Sequence, residues 1–63
     1  MKQQFVNEIY RMRKEGIRTL QDKKNLWAVY HNFFGRYPDG SMDCPNCVTN
    51  SFWEAFEHVN AYH

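Results

Sequence analysis

The chain contains no apolar run near the roughly 20 residues that a membrane-spanning helix needs. It also has no stretch of apolar–polar alternation that would build a half-buried strand, no repeat and no low-complexity tract. These absences argue against a membrane partner, a sheet and a solenoid. No paired carboxylates, glycine-rich phosphate loop or Ser-His-Asp set can be assembled either, so a non-catalytic protein is expected. The opening Met1-Lys2-Gln3-Gln4 does not read as a signal peptide, which makes a cytoplasmic setting the expectation. There are only two cysteines. In a reducing compartment such a pair serves as metal ligands, a redox group or buried thiols more often than as a structural disulfide.

What is present is a helical pattern in 63 residues, enough for one domain, 1–63. A chain this short buries only about 60% of its unfolded surface, and such scaffolds usually depend on a staple or a partner. Phe5, Ile9, Met12 and Gly16 recur at helical spacing, with Val6 and Tyr10 widening the stripe. Gly16 follows the basic pair Arg13 and Lys14, a favourable helix end, so the first helix covers about 2–15. Thr19 with Asp22 three residues on marks the start of a second, about 20–34, ended by Gly35. Leu26, Trp27, Val29, Tyr30, Phe33 and Phe34 occupy more than one face of it, which places it centrally. Ser51 and Glu54 form a capping-box pattern for a last helix, about 52–62. The expected fold is therefore all-α: a compact three-helix domain with a long loop, carrying Cys44-Pro45-Asn46-Cys47, between helices 2 and 3.

The Cys-x-x-Cys spacing lets two thiolates converge on one tetrahedral ion, and zinc is the expected metal. His58 and His63 are the candidate further ligands, with His31 as an alternative. Cys44, Cys47, His58 and His63 together resemble the ligand set of a two-cysteine, two-histidine zinc finger. Ten residues separate the two pairs here, against about twelve in that family, which argues against a DNA-reading finger. Cys-Pro-x-Cys at the apex between two helices is also similar to the zinc hook of coiled-coil repair proteins. That resemblance implies one ion shared by a homodimer. A redox role is a third reading, since a thiol near a helix N-terminus is acidified. The fourth is simply two small side chains, buried or disulfide-linked, that help close the loop.

Charge is unevenly placed. Residues 1–24 carry Lys2, Arg11, Arg13, Lys14, Arg18, Lys23 and Lys24 against Glu8, Glu15 and Asp22, for a net +4. Residues 25–63 carry Arg36 against Asp39, Asp43, Glu54 and Glu57, for −3. A nucleic-acid interface would use Arg11, Arg13, Lys14, Arg18, Lys23 and Lys24. The stretch Arg13–Thr19 resembles the turn of a helix-turn-helix, but Met12 and Asp22 fall at positions of the wrong character, favouring a plain αα-hairpin. Eleven aromatic residues are many for one small core, and Trp27, Phe34, Tyr37 and Trp53 are the candidate protein-contact residues. Short length, many aromatics and a cysteine pair before the last helix are similar to small accessory proteins of bacteriophages and mobile elements. That resemblance implies a host-factor-binding or minor virion component, located in the host cytoplasm or the virion. The expected function is a non-catalytic protein-interaction module, with nucleic-acid binding as the alternative.

Overall fold

The computed structural model describes residues 2–62 and shows three helices with no strand among them: α1 Gln3–Glu15, α2 Leu20–Phe34 and α3 Pro45–Tyr62. No helix is long and apolar enough to cross a membrane among the described residues. The all-α, three-helix expectation holds, and the cysteine turn leads into the last helix.

Each of the first two helices follows from its local signals. On α1, Val6, Ile9 and Met12 lie one turn apart and are all buried. Gly16 ends the helix, its N–H donating to the Met12 carbonyl at 2.8 Å. Thr19 caps α2 reciprocally: the Asp22 N–H donates to Thr19 Oγ1 at 3.1 Å, and the Thr19 N–H donates to Asp22 Oδ2 at 3.2 Å. Gly35 closes α2 in the left-handed conformation, φ 73°, where a side chain would be strained.

The third helix starts seven residues earlier than the sequence pattern places it. Cys44 occupies the cap position: its carbonyl accepts the first helical bond from the Val48 N–H at 3.0 Å. Its sulfur accepts from the Cys47 N–H at 3.3 Å, where a Ser or Asp oxygen would normally stand. Pro45 follows at the first helical position, where its missing N–H costs nothing. Ser51 is no cap. It is buried within the helix, and its hydroxyl donates back to the Cys47 carbonyl at 2.7 Å. Glu54 instead accepts from the buried Tyr30 hydroxyl at 2.8 Å, bridging α2 and α3. The connection between these helices is residues 35–44, with the cysteine turn at its end, so the loop is present but shorter than a helix starting at residue 52 would leave it.

The core lies between the three helices. Val6, Ile9 and Met12 of α1 meet Leu26, Trp27 and Val29 of α2, and Val48, Phe52, Ala55 and Val59 of α3. Phe5, Ile17, Phe33, Met42 and Phe56 close its edges. Starting α3 at Pro45 makes Val48 part of this core.

Candidate functional site

The α1–α2 turn and the first half of α3 enclose a cleft of about 430 Å³. Its apolar walls are Met12 and Ile17 on one side and Val48, Phe52 and Trp53 on the other. Among the described residues three cations border it, Arg13, Arg18 and Lys23, and no carboxylate does. Pro45 and Thr49, on the first turns of α3, form the end where the positive pole of the helix dipole lies. Trp53 is 43% exposed, and the Arg13 guanidinium lies 5.6 Å from its ring centroid. Phe56 meets Trp53 edge-on at 5.5 Å and Tyr10 edge-on at 6.2 Å, extending the aromatic surface across α1 and α3.

Arg11 does not belong to this basic surface. Its guanidinium is bonded to Glu8 within α1 and donates to Asp22 Oδ1 of α2 at 2.8 Å, so its charge is neutralised. The Arg11 bond, followed by the Arg18 and Thr19 N–H groups, holds the Asp22 carboxyl down at about 2, against an ordinary 3.8. Because the folded-state value is the lower one, this contribution to stability is present above about pH 4 and is lost as pH falls towards 2. The urea midpoint is expected to drop over that window in the natural chain and to be flatter in Asp22→Asn. Equal slopes for the two would show that the Asp22 network is not the source.

The remaining predicted residues separate. Lys14 is exposed on α1. Lys24 borders a different hollow, beside Tyr37, Pro38 and Met42. Trp27 is not a contact residue: at 8% exposure it belongs to the core, and the edge it shows faces the same hollow. Crowding of apolar residues on α2 is thus explained by burial on two sides, with α1 and α3 against one and the 35–44 loop against the other. Phe34 is half-buried in an aromatic group, 4.5 Å from the Tyr30 ring and 4.8 Å from His58. Tyr37 is 61% exposed and packs on His31 at 4.5 Å. Tyr10, which the helical spacing adds to the apolar stripe, is exposed rather than buried, and Tyr62 is a further exposed aromatic with no mark in the sequence pattern.

Of the candidate metal ligands among the described residues, the two cysteines meet, while His58 and His31 lie apart from them. Cys44 and Cys47 meet at the start of α3, both half-buried and unbridged. His58 stands eleven residues beyond Cys47 on the same helix, about 16 Å along its axis at 1.5 Å per residue. There it packs among Phe33, Phe34 and Tyr62. A helix beginning at residue 52 would have left the cysteine turn free to fold back towards His58; one beginning at Pro45 does not. His31 is in the last turn of α2 against Tyr37, and His63 lies outside the described residues. Among the described residues no group of three His, Cys, Asp or Glu side chains is placed to hold a metal ion. The two thiols differ. Hydrogen bonds from the Cys47 thiol and N–H push the Cys44 thiol down, while donating that bond pushes Cys47 up.

The missed feature is the convergence of two predicted sets. Arg13, Arg18 and Lys23 were assigned to a nucleic-acid surface and Trp53 to a protein contact, yet all four border one cleft. Set against protein-family models, curated proteins and solved structures, the chain gives no match in any of the three.

Proposed function

We propose that this domain is a non-catalytic docking module that takes an acidic, amphipathic segment of a partner protein into the cleft between the α1–α2 turn and α3. The observation that carries this reading is the pairing of apolar walls with three cations and no carboxylate. An amphipathic segment supplies both complements, apolar anchors for Ile17 and Trp53 above the buried floor of Met12, Val48 and Phe52, and flanking carboxylates for Arg13, Arg18 and Lys23. Trp53 and Arg13 at the rim are of the residue types that dominate binding energies. The same cations are a poorer match to nucleic acid. Phosphate-backbone contacts accumulate along an extended polar surface, whereas here Arg11 is neutralised and Lys24 lies beside a separate hollow.

Selection from a random peptide library displayed against the purified chain tests this directly. The enriched sequences are expected to combine Asp or Glu with Leu, Phe or Trp at helical spacing. Arg13→Glu with Arg18→Glu, both exposed positions, is expected to weaken a selected peptide at least tenfold, about 1.4 kcal/mol, without loss of helix content. Failure to enrich any sequence, or enrichment of sequences without acids, would overturn the reading. Retention of single-stranded DNA by the natural chain but not by the double variant, with a steep salt dependence, would reassign the cleft to nucleic acid.

A further inference from the structure

The cysteine pair is placed for chemistry that the cleft does not use. Cys44 is fixed by its backbone, its N–H donating to the Ser41 carbonyl at 3.1 Å and its carbonyl accepting from Val48. Its sulfur is held over the start of α3 by the Cys47 N–H. Cys47 stands one turn on, and residues three apart on a helix have Cβ atoms about 5–6 Å apart. A disulfide needs about 3.5–4.5 Å. Cys44 lies outside the helix, so a change in its backbone angles that gives up the Ser41 bond can bring the two Cβ atoms together without unwinding α3.

Cys47 has a seat of its own. A Cβ on Gly40 would lie 2.5 Å from the Cys47 sulfur, so the glycine leaves the space that this sulfur fills. Both residues keep partial solvent access, which a small reagent needs. No third ligand converges on them among the described residues.

We propose that Cys44 and Cys47 form a reversible dithiol–disulfide couple, exchanging with small-molecule disulfides and thiols of the glutathione class. The Cys44 thiolate attacks one sulfur of the small disulfide, forming a mixed disulfide and releasing one thiolate. Cys47 then gives its proton to solvent and attacks the Cys44 sulfur. The Cys44–Cys47 bond forms, the mixed bond breaks, and the second small thiolate leaves. Two electrons pass from the cysteine pair to the small disulfide, and both released thiolates take up protons according to the pH.

The full chain, equilibrated over a range of glutathione to glutathione-disulfide ratios, then acid-quenched, alkylated and weighed, reads the couple. The expected products are a dithiol carrying two alkyl groups and an intrachain disulfide two hydrogens lighter carrying none. Their ratio should follow the square of glutathione over its disulfide. Cys47→Ser is expected to stop at one bound glutathione on Cys44. Three results would overturn the proposal: two unreacted thiols at every ratio, accumulation of mixed disulfide or cross-linked chains in the natural protein, or uptake of one zinc per two chains that protects both thiols. The last would identify half of a shared metal site instead.

Discussion

Leu26→Ala is expected to leave much of the domain unfolded at 25 °C. Leu26 has no solvent exposure and sits in the cluster that joins all three helices. Truncating a buried leucine costs about 2–5 kcal/mol, counting lost transfer energy and the cavity left behind. A domain of 63 residues has, at roughly 0.05–0.15 kcal/mol per residue, a total stability of the same order. The far-UV circular dichroism of the variant should therefore lie well below that of the natural chain before any urea is added. Leu26→Met keeps the volume and should cost less than about 1.5 kcal/mol. A Leu26→Ala chain with an unchanged urea midpoint would show that the core is not centred on α2.

Gly40→Ala is expected to produce the second largest loss, about 1–3 kcal/mol. Two causes act together. The residue has φ 98°, a conformation that side chains rarely adopt, and the added Cβ would meet Cys47, 2.5 Å from its sulfur and 2.9 Å from its Cβ. The two causes can be separated by urea melts of Gly40→Ala, Cys47→Ala and the double variant. Removing the sulfur should recover part of the loss, while the backbone cost and the Cβ contact remain. If Cys47→Ala recovered nothing, the sulfur would not be seated against Gly40.

The legible parts of the fold are those set by short-range signals. The stripe of Val6, Ile9 and Met12, the reciprocal Thr19–Asp22 cap and the two glycine stops each depend on residues within a turn or two. The start of α3 was illegible because its signals point two ways. Pro45 is both a turn former and a good first helical residue. The group capping the helix is a sulfur, outside the usual set of capping side chains. Thr49, Asn50 and Ser51 are weak helix formers, and burial of Val48 and Phe52 on either side overrides them. Ser51 and Glu54 had the right spacing for a capping box but different partners, Cys47 and Tyr30, and the second of these is visible only in three dimensions.

The candidate site follows the same division. Its residue types were readable: Arg13, Arg18 and Lys23 as a basic set, Trp53 as surplus aromatic surface. Their meeting was not, because it depends on Val48 and Thr49 being helical and on the angle at which α3 crosses the α1–α2 turn. The burial of Trp27 is hidden for the converse reason. An aromatic on a crowded helix has no sequence mark that tells core from surface when a loop covers its second side.

With 18 residues, α3 runs about 27 Å at 1.5 Å per residue, against a longest dimension of 29 Å for the molecule. One element therefore spans the domain from end to end. With that rod lifted away, the α1–α2 hairpin keeps only the contacts of Val6, Ile9 and Met12 with Leu26, Trp27 and Val29, and the side of that layer that α3 covers opens to water. A two-helix hairpin with one open side is expected to melt together with the third helix. The thiols at one end of α3 and the His58 aromatic group at the other are therefore expected to be lost together on unfolding, although Cys47 and His58 stand eleven residues apart on one helix.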